Sequence, residues 1–157
     1  MKAYNLFCLF FVSIIAITQT SCDQIGAGPY PFAEQYVLRT NEETLLKAIE
    51  KFKNENPEYN LPPRFPHVDG KVNGDDYFHH LYFYYPDERK IVQCWIRENV
   101  SNKNQTIFAL VAINTGSGFG NWKQINHDFE KEVNEREKRK FEKLILSKVF
   151  EQLSEVQ

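Results

Sequence analysis

The chain has 157 residues, 42% of them hydrophobic, and its 19 Lys and Arg against 21 Asp and Glu give a net charge of −2. This length and apolar content suit one packed domain rather than two. The mildly acidic balance is unlike the basic surfaces that bind nucleic acid, so no nucleic-acid partner is expected.

The chain starts with a short apolar run between Lys2 and Ile17. The run is shorter than the roughly 20 residues that a membrane-spanning helix needs. A positive charge, a short apolar stretch and small residues before a cleavage site are typical of a secretory signal. Here the small pair Thr20 and Ser21 stands directly before Cys22.

This arrangement resembles the lipobox of bacterial lipoproteins, although Gln19 replaces the usual aliphatic residue. The resemblance implies that residues 1–21 are a signal peptide and that Cys22 carries the lipid, with palmitate among its acyl chains. It also implies a cell-envelope location, on the outer membrane rather than the inner one, with the domain in the periplasm or at the surface. A conventional signal peptide or an uncleaved anchor helix is the alternative.

The next segment, residues 22–36, contains Gly and Pro without periodicity and predicts a flexible tether. The single globular domain would then span residues 37–157. Its first element is a helix that opens with a capping box from Thr40 to Glu43 and ends before Pro57. The residues that follow, up to 76, have turn chemistry.

Three strands are predicted next, at residues 77–85, 91–97 and 107–113, and consecutive antiparallel pairing is expected. The third is almost continuously apolar, which favours a central position. From Trp122 onward the apolar spacing is helical, and a charge run at 135–140 leaves open whether residues 121–157 form one helix or two. The predicted fold is a two-layer α+β domain with an antiparallel three- to four-stranded sheet, in the order α-β-β-β-α.

The first predicted strand is aromatic on both faces. One face packs under the helices, whereas the other carries Phe78, Tyr82 and Tyr84. Tyrosine-rich surfaces are common at protein interfaces, so these three residues are predicted to bind a partner. The alternative is that the tether and the loop at 57–76 cover them.

A second group of residues, His67, Asp69, Asp76 and His80, has the chemistry of metal ligands and acid-base catalysts. Adjacent strand residues point to opposite faces, so His79 and His80 are not expected to share one ion. The glycine loop at 116–120 has neither P-loop nor dinucleotide-binding spacing, and no metal or other cofactor is expected.

The sequence therefore favours a small lipid-anchored envelope protein that is not an enzyme and binds a protein partner. On class resemblance this partner is a toxin and the protein an immunity-type inhibitor. The alternatives are a metal-dependent or acid-base hydrolase that uses the group at 67–80, and a structural envelope component.

Overall fold

The computed structural model describes residues 29–65, 69–71, 77–114 and 120–156. Phe32–Gln157 forms a compact unit with a five-stranded antiparallel sheet and helices, which confirms the α+β class. The predicted signal peptide, Cys22 and the start of the predicted tether lie outside the described residues. In the part that is described, no helix has the length and apolar character to cross a membrane.

The sheet consists of β1 (Glu34–Leu38), β2 (His79–Tyr85), β3 (Lys90–Glu98), β4 (Thr106–Asn114) and β5 (Trp122–Gln124). β3 pairs along one edge of β4, whereas β1 and β5 share the other edge. All nine residues of β4 are buried, as its apolar run predicts for a central strand. The outermost strands are β2 on one side and β1 and β5 on the other.

The predicted order α-β-β-β-α is only partly correct, because a short strand precedes the first helix and another follows β4. β1 begins at Glu34, inside the segment interpreted as tether. Five residues, of which the first two are polar and the last three are not, give too little alternation to identify a strand beside two prolines.

Residues 122–130, predicted to be helical, instead form β5 and a turn. The N–H of Ile125 donates to the Val111 carbonyl at 3.0 Å, and Asn126 adopts a φ of 61°. Asparagine tolerates this left-handed conformation, which no α-helix can contain. Asn126 and Asn134 also exchange two hydrogen bonds of 2.7 Å, and these fix the turn against the helix that follows.

The first helix, α1, spans Glu42–Glu55 and lies where the apolar spacing predicts. Its N-cap is Asn41, not Thr40, because Oδ1 of Asn41 accepts the Thr44 N–H at 2.8 Å. The carbonyl of Thr40 instead accepts a hydrogen bond from β4. The predicted N-cap, Thr40, is therefore wrong by one residue.

Asn41→Ala is expected to lower the free energy of unfolding by about 1 kcal/mol, because the Thr44 N–H loses its partner. Thermal or urea unfolding of the purified protein measures the loss. Asn54→Ala is the matched control: Asn54 is exposed within α1, where alanine is a better helix former. Equal effects of the two changes would contradict the assigned cap.

The C-terminal helical segment begins at Lys131. It consists of α2 (Lys131–Phe141), a π-helical turn (Glu142–Leu146) and α3 (Ser147–Val156), which follow one another without a break. At the π-helical turn the Ser147 N–H donates to the Glu142 carbonyl. The charge run at 135–140 thus lies within one helical segment, and its irregularity comes just after it.

The hydrophobic core lies between the helices and one face of the sheet. The helices and strands contribute Leu45, Ile49, Phe52, Phe141, Ile145, Val149, Leu81, Phe83, Tyr85, Val92, Ile96, Phe108 and Leu110. Side chains of a strand alternate between the two faces of the sheet, so the strand residues that alternate with these core residues point away from the helices.

Candidate functional site

The sheet face opposite the helices carries a row of large aromatic side chains: Phe78, Tyr82, Tyr84, Trp95 and Trp122. We call it the aromatic sheet face. Tyr82 alternates with Leu81 and Phe83, and Trp95 alternates with Cys94 and Ile96, all of which are core residues. The strand pattern therefore places these rings on the same side.

The rings of the aromatic sheet face contact one another across the strands. Tyr82 and Trp122 have ring centroids 6.4 Å apart although β3 and β4 lie between them. The row that starts at Tyr82 runs through Gln93 and the small Ala112 to Gln124, which lies two residues after Trp122 on β5. Phe78 meets Trp95 edge to face at 4.9 Å.

Arg97 adds a cation to this face. Its guanidinium carbon lies 5.0 Å from the Tyr77 ring centroid, 5.7 Å from Trp95 and 6.0 Å from Phe78. Such cation-π contacts stabilise the guanidinium beside the rings. The aromatic sheet face thus carries tyrosine, tryptophan and arginine side chains, although Trp95 is itself only 2% exposed.

The three residues predicted to bind a partner differ in exposure. Phe78 and Tyr82 are half-buried, whereas Tyr84 is only 9% exposed. The Phe65 ring, from the loop after α1, lies 6.3 Å from Tyr84, so the predicted loop cover applies at this position. Burial, and then the charge of Asp69, raises the pKa of Tyr82 above its usual value.

Trp95, Trp122 and Arg97 were absent from the predicted site. Alternation along β3 could have found Trp95 and Arg97, since Val92, Cys94 and Ile96 define the opposite face. Nothing in the sequence identifies Trp122, whose spacing to Ile125 is helical. Cys94 itself is fully buried, and burial raises the pKa of its thiol, as suits a packing residue.

The candidate ligand Asp69 has a structural partner at the outer edge of β2. One carboxylate oxygen accepts the Tyr82 N–H at 2.8 Å, and the other accepts a hydrogen bond from Lys53. Lys53 also donates to the Tyr82 carbonyl at 2.7 Å, and Gly70 exchanges two backbone bonds of 2.9 Å with His80. Together these groups pair the outer edge of β2, which is how sheets avoid unwanted strand addition.

A cleft of about 350 Å³ lies beside this edge, between α1 and β2. Leu46, Ile49 and Leu81 form its apolar floor, with Lys53 and His79 among its polar groups. His80 is on the opposite side of the strand, as predicted, while His67 and Asp76 lie outside the described residues. Within the described ranges, no three Asp, Glu, His or Cys side chains converge on a metal position.

His79 is expected to make stability depend on pH. Burial in the cleft lowers its pKa, with Glu42 and Asp69 opposing the shift. The unfolded state therefore binds more protons than the folded state as the pH falls below the usual imidazole value of about 6.5, and stability is lost in that window. His79→Gln should lose less stability between pH 7 and pH 5 than the wild type. Parallel pH profiles from urea unfolding would contradict this assignment.

Comparison with models of protein families, with curated proteins and with solved structures finds no match to this chain. Its function is therefore inferred from the geometry of the aromatic sheet face and the chemistry of the N-terminus.

Proposed function

We propose that this protein is a lipid-anchored component of the bacterial cell envelope and binds a protein partner through its aromatic sheet face. Cys22 would carry the lipid, and more than one acyl chain makes such anchoring stable. The segment behind Cys22 would hold the domain close to the membrane, the outer membrane in this proposal. Any partner would then be a protein of the envelope or one that enters it.

The observation that supports this proposal best is the composition of the aromatic sheet face. Tyr, Trp and Arg are the residues most enriched among those that dominate binding energy in protein interfaces. Here Tyr82, Trp122 and Arg97 lie on one face, and rigid strands hold them. Rigid aromatic side chains lose little entropy when they are buried by a partner.

We propose a binding role rather than hydrolysis because Asp69 is already engaged. Its two oxygens accept hydrogen bonds from the Tyr82 N–H and from Lys53. An Asp69 oxygen that also took a proton or bound a metal would compete with these bonds for its electron density, which would weaken the pairing of β2. Neutralisation of a toxin, as immunity-type inhibitors do, is the specific form of binding that we propose.

The test is co-purification of the full-length lipoprotein from membranes of the bacterium that produces it, in mild detergent. We expect a stoichiometric protein partner and at least a tenfold loss of its affinity in Tyr82→Ala and in Trp122→Ala. Val100→Ala is the control, since Val100 is 76% exposed in the turn between β3 and β4, away from these rings. Absence of a partner, or equal binding by all three variants, would refute the proposal.

A further inference from the structure

The two edges of the sheet differ in the hydrogen bonding of their outward backbone groups. At the β2 edge, Gly70 exchanges backbone hydrogen bonds with His80. The Tyr82 N–H donates to Asp69, and the Tyr82 carbonyl accepts a hydrogen bond from Lys53. At the β1 edge, no described residue makes a hydrogen bond to the outward backbone groups. An open edge strand is a ready template for another strand.

The strand registers identify which groups of β1 point outward. His80 bonds to Gly70, so its backbone groups face away from β3. In antiparallel sheets this direction alternates from strand to strand across a row. One row across the sheet consists of His80, Trp95, Ala109 and Gln35. The N–H and C=O groups of Gln35 therefore point away from β4, and so do those of Val37, which lies two residues further along β1.

The side chains along the β1 edge are exposed to solvent as well. Gln35 is exposed, and Val37 is 55% exposed. At the end of the strand lies a pocket of about 200 Å³, whose lining is apolar at Leu38, Phe150 and Leu153 and polar at Arg39, Thr40 and Ser154. Phe150 is 44% exposed. Arg39, at the rim of this pocket, has no ion pair with any acid among the described residues.

We propose that an extended segment of a protein partner adds to the sheet along β1. Its backbone would pair with Gln35 and Val37, as in β-strand addition. An apolar side chain would fill the pocket next to Leu38, and a neighbouring acidic side chain would pair with Arg39. The inference rests on the proposed protein-binding role, and it extends the aromatic sheet face at β1, where the side chains of Gln35 and Val37 share that face.

A second copy of this chain fits the edge less well. Two copies could pair their β1 strands antiparallel about a two-fold axis. With the axis at Tyr36, Leu38 would face Glu34 of the other copy, and with the axis at Val37 it would face Tyr36. Glu34 already contacts Lys138 at 3.4 Å. Tyr36 packs on Phe141 and donates to Glu142 at 3.1 Å. Neither side chain is available to fill the pocket next to Leu38.

The test uses the full-length lipoprotein in nanodiscs and short random peptides displayed on phage as the probe. Selected peptides are synthesised, and fluorescence anisotropy gives their affinities. We expect sequences with an apolar residue next to Asp or Glu, and at least a tenfold loss of affinity in Val37→Pro. The outward N–H of Val37 belongs to no pair within the described chain, so proline removes a donor for the peptide without breaking the sheet.

Two further variants keep the result interpretable if Val37→Pro unfolds. Phe150→Glu puts a charge at the pocket and should weaken peptide binding by a similar factor. Val100→Glu makes the same change at another exposed apolar residue and should leave the affinity unchanged. Thermal unfolding of each variant confirms that the fold is retained.

Peptides that bind a folded Val37→Pro or Phe150→Glu as tightly as the wild type would overturn this inference, and so would the absence of any selected peptide. A dimer that Val37→Pro dissociates in sedimentation would assign the edge to a second copy and would also overturn it. Failure at the β1 edge is separable from failure of the proposed function. If the partner still depends on Tyr82 while no peptide binds, only the strand-addition inference is lost.

Discussion

Lys90→Met is expected to lower the free energy of unfolding by about 3–5 kcal/mol. Nζ of Lys90 lies 2.9 Å from Oε1 of Glu137, whose side chain is only 2% exposed. Oε2 of Glu137 is buried and has no hydrogen-bond partner among the described residues. Without the ammonium group the carboxylate stays buried and unpaired, which is the costly state. Urea unfolding of the purified protein measures the change.

The double variant Lys90→Met with Glu137→Met should recover most of this loss, because both charges leave the interior together. Lys148→Met is the surface control. Lys148 pairs with Glu151 at 3.2 Å, but both side chains are more than half exposed, so the change should cost about 0–1 kcal/mol. A loss in Lys90→Met no larger than in the control would show that the buried pair is not what stabilises this end of the sheet.

Phe108→Ala is expected to cost about 3–5 kcal/mol, because it opens a cavity at the centre of the core. Phe108 lies in β4 with no exposed surface, and its ring centroid is 5.4 Å from Phe141 and 6.3 Å from Phe83. The cavity would therefore separate the central strand from the C-terminal helices and from β2 at once.

Phe150→Ala removes the same side chain from a position that is 44% exposed, and it should change stability by no more than about 0.5 kcal/mol. Chemical denaturation compares the two variants. Similar losses would mean that the core does not centre on Phe108.

Strong periodicity made much of the fold predictable from the sequence. The apolar spacing of α1, the aromatic run of β2, the alternation along β3 and the apolar run of β4 each indicate the element that is found. The end strands were missed because β5 has three residues and β1 five, too few for a period to emerge. Long-range pairing with β4, rather than local preference, makes them strands.

The candidate site was predictable only where strand alternation defines a face. That alternation separates Tyr82 from Leu81 and Phe83, and it puts His79 and His80 on opposite sides. The partners of Asp69 were not predictable, because Lys53 comes from α1 and Tyr82 from the adjoining strand. The outward backbone groups of β2 are hydrogen-bonded, whereas those of β1 have no partner among the described residues. This difference was not predictable either, because it depends on which strands lie at the edges of the sheet, and local sequence patterns do not determine that.

The most direct test of the central proposal is a photo-cross-linking amino acid placed at Tyr82 of the full-length protein, in the cells that produce it. We predict one covalent adduct with a protein partner in the membrane fraction. The same amino acid at Lys47, on the exposed side of α1, should give no such adduct. No adduct at Tyr82, or the same adducts at both positions, would contradict binding through the aromatic sheet face.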